Sequence, residues 1–347
     1  MTLRLAVVGV GDVAQRDYLP ELGRFSDLVE VVVACSRTAS RARDVADRFG
    51  IPRHTASVEE AVSDPGVDAI VNLTPIPAHV EVTLEALRAG KHVYTEKPLA
   101  GSLAEADRIA NEAAAHGCTV VAAPCVLLFP QVVRARELLA ARQLGEVHTA
   151  RAHGLGGVPP WAGYTGDPAP FFARDAGPLV DMAVYPLHAL TGLLGRARRV
   201  AAFSSRTRSS FTAGDGTEVR VEADDNWHVL LELESGVLAS VEANNCAGAA
   251  LAPELELRGE RAALGVSLLD VSAPLRVADA DGERTEDVPH GRATGGPDHA
   301  LGIAHLAVCV AEGTDPEIGV PHARHVLEIL DAARRSVAES RAVDIAA

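Results

Sequence analysis

Lysine is nearly missing from this chain. Of 32 Lys and Arg residues in 347, only Lys91 and Lys97 are lysines, and both stand in the stretch GKHVYTEKP. The other thirty are arginines. A guanidinium keeps its proton in any protein, whereas burial and neighbouring charge can lower a lysine's pKa until it transfers one. A position that needs such transfer keeps lysine against an arginine-favouring composition. Lys97 is therefore the first candidate for a proton-transferring residue, beside the alternative of two surface lysines that happen to cluster. Cysteine is sparse as well. Five residues (Cys35, Cys118, Cys125, Cys246, Cys309) form no C-x-x-C pair, which argues against a disulfide framework and a thiolate zinc site and for a reducing cytoplasm. No apolar run approaches the ~20 residues that span a bilayer. The N-terminus enters a strand pattern directly, with no charged-then-apolar leader. Positive charge is outnumbered, 32 basic against 47 acidic side chains for a net charge of −15, so nucleic acid and anionic membrane are poor partners.

What is present is strand–helix alternation. Apolar runs at 3–8, 29–34, 69–73, 92–94 and 119–123 read as strands of a parallel sheet with helices on both faces. Ser57-x-x-Glu60 and Ser102-x-x-Glu105 read as capping boxes, and Gly50, Gly90 and Gly117 stand where left-handed helix stops belong. After Pro124 the texture changes. A helix over 131–142 leads to a strand at 147–152, a Gly/Pro-rich segment at 154–170 and a helix over 178–194. Strands follow at 200–205, 227–234, 237–244, 254–257 and 264–268, with a tight turn at Ser235-Gly236. The stretch 279–298 reads as loop, and 322–339 as a closing helix. The expected organisation is an α/β Rossmann domain over 1–124 and an α+β domain with a mostly antiparallel sheet over 125–347.

The first strand ends in Gly9-Val10-Gly11-Asp12-Val13-Ala14, which fits G-x-G-x-x-G/A. Gly9 permits the tight turn, Gly11 admits a pyrophosphate to the backbone, and Ala14 lets helix and strand pack closely. Asp12 and Val13 open the helix whose N–H groups would face the phosphates. The second strand ends in Cys35-Ser36-Arg37-Thr38, where an NAD site usually places a carboxylate for the 2′-hydroxyl. Small hydroxyls and Arg37 suit a 2′-phosphate, so NADP(H) is expected to be preferred, with NAD(H) possible.

Further on stand Thr74-Pro75-Ile76-Pro77-Ala78-His79 and Gly90-Lys91-His92-Val93-Tyr94-Thr95-Glu96-Lys97-Pro98. With the glycine turn, these resemble the TPxxxH and GKHVxxEKP motifs of the Gfo/Idh/MocA oxidoreductases, over essentially the whole chain. The resemblance implies a Rossmann domain followed by an α/β domain with a large antiparallel sheet. It implies cofactor contacts from Thr74, Pro75, His79, Glu96 and Lys97, a sugar, sugar derivative or cyclitol as substrate, and a homodimer or homotetramer closed over the sheet. Lysine's free pKa of ~10.4 can fall toward ~7–8 on burial, a useful value for general acid–base work.

A second cluster, Gly177-Pro178-Leu179-Val180-Asp181-Met182-Ala183-Val184-Tyr185-Pro186-Leu187-His188, resembles the family helix that carries Asp and, four residues later, His. Here Tyr185 takes the His place. Helical spacing would put Asp181, Tyr185 and His188 on one stripe, with Asp181 favoured by the helix dipole and Pro186 kinking the helix at Tyr185. Either Lys97 activates Tyr185, which exchanges the proton with the substrate, or Lys97 moves the proton and Tyr185 positions the substrate. Asp181 would orient substrate or lysine, and His188 would contact substrate. Trp161, Tyr164, Phe171 and Phe172 group together in a chain with 4% aromatics, as a pocket wall or as a packed loop. His322 and His325 lack acidic or thiol partners nearby in sequence, and no metal is expected. Two other readings stay open from the resemblance: a glycosidase working by transient oxidation, and a non-catalytic cofactor sensor.

Overall fold

The computed structural model describes residues 2–161, 164 and 166–345. The chain forms two compact units, Met1–Cys125 with Asp298–Leu327, and Val126–Pro297 with Glu328–Ala347.

The first unit is built on strands β1 (Leu3–Val8), β2 (Val29–Cys35), β3 (Arg53–Thr55), β4 (Ala69–Asn72), β5 (His92–Thr95) and β6 (Val120–Ala122). They pair in parallel in the order β3-β2-β1-β4-β5-β6. Strands β4 and β6 are buried throughout, as a parallel sheet covered on both faces requires. β3 carries Arg53 and His54 exposed, so it has no apolar signature and was not expected from sequence. Ser57 and Ser102 each accept a hydrogen bond from the backbone N–H three residues on, Glu60 and Glu105. Gly50 and Gly117 end their helices in the left-handed conformation. A helix over Ala300–Glu312, which sequence reading left unassigned, packs on β5 and β6 in this unit.

The second unit holds β7 (Val147–Leu155), β8 (Ala197–Ser205), the hairpin β9 (Ser210–Thr212) and β10 (Glu218–Arg220), β11 (Asn226–Leu233), β12 (Leu238–Asn244), β13 (Leu255–Gly259), β14 (Ala262–Val266), β15 (Leu275–Asp279), β16 (Gly282–Glu286) and β17 (Val343–Asp344). Nine of them form one sheet in the order β16-β15-β14-β13-β7-β12-β11-β8-β17, antiparallel except for β7 beside β12. Gly236 (φ 87°) turns β11 into β12 as its Gly signal requires. The expectation of loop over 279–298 is corrected by β16. Its sequence GERTE alternates nothing apolar, because it is the outer edge of the sheet, where charged side chains discourage further pairing. Along β8, β11 and β12 the inner positions are buried, while Phe203, Leu230 and Leu238 stand on the opposite face, 81%, 57% and 59% exposed.

The single helix expected over 178–194 is two: Pro178–Asp181 and Val184–Leu194, interrupted at Met182 and Ala183. Pro186 supplies no N–H to the Met182 carbonyl, which would be its partner in an unbroken helix. That carbonyl lies instead against Gly154 on β7, where an added Cβ would stand 2.3 Å from the oxygen. Pro186 is the third residue of the second helix, where a missing N–H leaves no bond unmade. The kink expected at Tyr185 is thus displaced to Met182.

Candidate functional site

The strand order of the first unit reverses between β1 and β4, and this is where open α/β sheets bind ligands, beyond the carboxyl ends of the strands. Gly9 leaves β1 with φ 95°. A Cβ there would stand 2.5 Å from the Leu73 carbonyl oxygen and 2.7 Å from the Thr74 nitrogen. Backbone hand and the exit of β4 both demand glycine. Gly11 differs. Its added Cβ would meet nothing within 4 Å, so its lack of a side chain leaves open space over the turn. A pyrophosphate fits that opening, and the cradle is suited to a dinucleotide. Asp12, ion-paired with Arg16 at 2.6 Å, and Val13 begin a helical stretch that continues as a π-turn at Ala14–Tyr18 and an α-turn at Leu19–Leu22.

At the end of β2, Ser36 accepts a hydrogen bond from the Thr38 N–H at 3.4 Å. Arg37 is exposed. Arg41, in the first turn of the helix Ala39–Phe49, is exposed too and lines a cleft with Thr38, Ser40, Asp44 and Arg48. Among the described residues no carboxylate pairs with Arg37 or Arg41. Motif reading singled out Arg37 and passed over Arg41. Its signal was a second arginine four residues on, weak in a chain so rich in arginine.

The loop after β4 is tied to the loop after β5. Thr74 donates its hydroxyl to Asn72 Oδ1 at 2.7 Å, and Asn72 Nδ2 donates to the His79 carbonyl at 2.9 Å. The His79 ring is buried between two carbonyls, with Nε2 2.6 Å from Thr74 O and Nδ1 3.1 Å from Pro98 O. Burial holds this imidazole below its ordinary pKa, so one nitrogen donates and the other faces its carbonyl without a proton. Pro75 opens the turn that sets this ring. His79 is accordingly a clamp between the two loops.

The two lysines part company. Lys91 donates to the Asp64 and Val67 carbonyls at 2.9 and 2.7 Å, closing a turn below β4. Lys97 follows β5 at its carboxyl end, where Glu96 accepts the Lys97 backbone N–H through Oε2 at 2.9 Å. The other Glu96 oxygen accepts from the buried hydroxyl of Tyr18, which also meets the Tyr94 hydroxyl at 2.9 Å. Burial first, then the Glu96 charge, push the Tyr18 hydroxyl well above its ordinary pKa. It therefore stays a donor.

In the second unit, Asp181 ends the four-residue helix and Tyr185 and His188 lie three apart on the next. The stripe expected through all three is broken at Met182, and Asp181 closes its helix instead of opening a long one, so the dipole argument does not apply to it. Tyr185 and His188 do share a helix face. Tyr185 is half-buried and His188 buried. Trp161 is half-buried, stacked on Phe172 at 5.6 Å and donating from Nε1 to the Gly157 carbonyl at 3.3 Å. With Phe171 it packs against a small apolar core of Phe172, Phe211, Ala213, Val219 and Val221.

Residues 3–123 match the family described as oxidoreductases with an NAD-binding Rossmann fold, and residues 132–265 match the GFO/IDH/MocA C-terminal domain. The chain is similar to mouse trans-1,2-dihydrobenzene-1,2-diol dehydrogenase, 29% identical over 69% of this chain and 68% of that protein. It is similar to the dTDP-3,4-didehydro-2,6-dideoxy-alpha-D-glucose 3-reductase of Streptomyces violaceoruber, 32% identical over 57% of this chain and 56% of the reductase. That match spans little more than half of the reductase. Its fold is that of an NAD-binding oxidoreductase from Klebsiella pneumoniae, with a TM-score of 0.88 at 22% identity over 100% of both chains.

Proposed function

Since this chain belongs to the Gfo/Idh/MocA oxidoreductases, we propose that it is an NADP(H)-preferring enzyme interconverting an alcohol and a ketone on a sugar, sugar derivative or cyclitol. The observation that carries this reading is the cradle at the β1–β4 reversal. Gly9 is demanded by the protein's own backbone, Gly11 leaves space that a diphosphate would fill, and Glu96-Lys97 stand at the neighbouring strand end. Gly9, Gly11, Asp12 and Val13 would line the pyrophosphate, and Ser36 and Arg37 the adenosine ribose. Thr74, Pro75 and His79 would shape the edge of the nicotinamide site. Arg37 and Arg41, both exposed without a carboxylate partner among the described residues, support NADP over NAD, because two guanidinium groups suit a phosphate far better than a hydroxyl.

A nicotinamide held at this cradle would supply the hydride acceptor or donor for the carbinol carbon. The chain's own part is the proton. In the oxidative direction the substrate hydroxyl loses its proton to the Lys97 amine, with Tyr185 either relaying it or holding the oxygen. Asp181 orients the substrate or the lysine, and Trp161 and His188 supply substrate contacts. The names of two relatives, a cyclic diol dehydrogenase and a sugar-nucleotide reductase, support ring-borne C–O centres as the substrate class. Five free thiols fit a reducing cytoplasm. Phe203, Leu230 and Leu238 exposed on the outer face of the large sheet support a homodimer or homotetramer.

The test is nicotinamide absorbance with NADP⁺ or NAD⁺ and a panel of sugars, glycosides and cyclitols, with Lys97→Met alongside. Turnover with NADP⁺ that disappears in the variant is the expected result. Glycosides cleaved with no net absorbance change would replace this reading with transient-redox hydrolysis.

A further inference from the structure

Two of the four tyrosines in this chain meet hydroxyl to hydroxyl, and one of them, Tyr18, reaches the Glu96 carboxylate. Tyr18 ends the π-turn that comes after the glycine cradle. The turn closes through an i→i+5 bond from the Leu19 N–H to the Ala14 carbonyl. A π-turn admits one residue more than an α-turn, and each residue added rotates the chain beyond it by about 100°. Tyr18, the last residue of this turn, is fully buried. Its ring is fixed on two sides. His299 stacks on it at 5.5 Å and Tyr94 meets it edge-on at 5.7 Å. Tyr94 is itself confined by Gly302, where a Cβ would come within 2.5 Å of its ring.

The hydrogen bonds then run in one direction. Tyr18 has one proton and gives it to Glu96 Oε1, so at the 2.9 Å contact between the hydroxyls Tyr94 must be the donor. Glu96 Oε2 receives the Lys97 backbone N–H. The chain Tyr94, Tyr18, Glu96, Lys97 joins the helix that leaves the glycine turn to the strand end that bears the lysine. We propose that Tyr18 is a positioning residue: through Glu96 it holds the Lys97-Pro98 turn in one conformation and ties that turn to the dinucleotide cradle. The catalytic use of Lys97 rests on the function proposed above; the positioning does not. A tyrosine buried here for packing alone would need its ring and not its hydroxyl.

The near-absence of lysine supplies the readout. Protein labelled with ¹³C at the lysine ε-carbon shows only Lys91 and Lys97, and Lys97→Met assigns them. In Tyr18→Phe the ring packing with Tyr94 and His299 is kept and the donor to Glu96 is lost. The Lys97 resonance is expected to move and broaden as the turn samples more than one conformation, while Lys91, held by the Asp64 and Val67 carbonyls, stays in place. Glu96→Gln should disturb the same resonance, and Tyr18→Phe added to it should change it little further. Tyr94→Phe, which leaves the Tyr18–Glu96 bond intact, should disturb it less and serves if Tyr18→Phe does not fold. A Lys97 resonance in Tyr18→Phe that superimposes on wild type overturns the inference, as does an equal displacement of Lys91, the mark of general loosening. Turnover that survives in Lys97→Met, with the Lys97 resonance still displaced in Tyr18→Phe, would overturn the catalytic role of the lysine and uphold the positioning.

Discussion

Gly9 and Gly11 lie two residues apart in one motif, and alanine at each should fail in a different way. At Gly9 the new Cβ would overlap the Leu73 carbonyl and the Thr74 nitrogen at 2.5 and 2.7 Å, and φ is 95°. A left-handed backbone costs an L-residue about 1–2 kcal/mol. Overpacking against groups that cannot move aside adds about 1–3 kcal/mol. Together that is roughly 2–5 kcal/mol, against a total stability of about 5–15 kcal/mol for a typical domain. Gly9→Ala should therefore unfold at distinctly lower urea with no cofactor present. At Gly11 no atom lies within 4 Å of the new Cβ and φ is not left-handed. The variant should match wild type in urea, or gain up to about 1 kcal/mol from a stiffer unfolded chain. Its loss should appear only with ligand, because the methyl occupies the space assigned to the pyrophosphate. NADPH affinity should drop at least ~10-fold, about 1.4 kcal/mol. Urea unfolding followed by circular dichroism and NADPH titration followed by fluorescence separate the two effects. Wild-type NADPH affinity in Gly11→Ala, or a wild-type urea midpoint in Gly9→Ala, would refute the assignment of the cradle.

Replacing Arg37 and Arg41 by alanine should weaken NADPH by about 10-fold or more, since a charged hydrogen bond contributes about 1.5–3 kcal/mol, and leave NADH nearly unchanged; calorimetric titration of both cofactors decides it. His79 and His299 are buried and held below their ordinary pKa, chiefly by desolvation. The unfolded chain takes up protons at these sites before the folded one does, so stability is retained above ~6.5 and falls as pH drops from there toward the folded pKa values. The slope should reach about 1.4 kcal/mol per pH unit for each histidine, and urea midpoints that stay flat between pH 7 and pH 5 would contradict it. Phe203→Asp on the outer sheet face should shift the protein to a smaller species in size-exclusion chromatography with light scattering, without loss of secondary structure.

Much of the first unit was legible because its signals are local. Continuous apolar runs marked β1, β2, β4, β5 and β6, and the two serine caps act within three residues of themselves. β3 and β16 were not legible, since a short or edge strand with exposed charged side chains has no apolar period to read. The helix over Ala300–Glu312 was missed for the same reason in reverse, being apolar nearly all round. The break at Met182 needed knowledge of Gly154, 28 residues away and on another element. Pro186 hinted at an irregularity and put it in the wrong place.

The amino-acid order alone determined the glycine turn, the missing carboxylate after β2, the isolated Lys97 and the family that these motifs mark, because each lies in a few adjacent residues whose chemistry does not depend on distant partners. Tertiary structure alone decided that Lys91 closes a turn on the Asp64 and Val67 carbonyls, that Gly9 answers to Leu73 while Gly11 answers to no protein atom, and that Tyr18 reaches Glu96. Those facts depend on residues tens of positions apart meeting across a parallel sheet. Such meetings are set by strand order and packing, and neither is written in any local pattern.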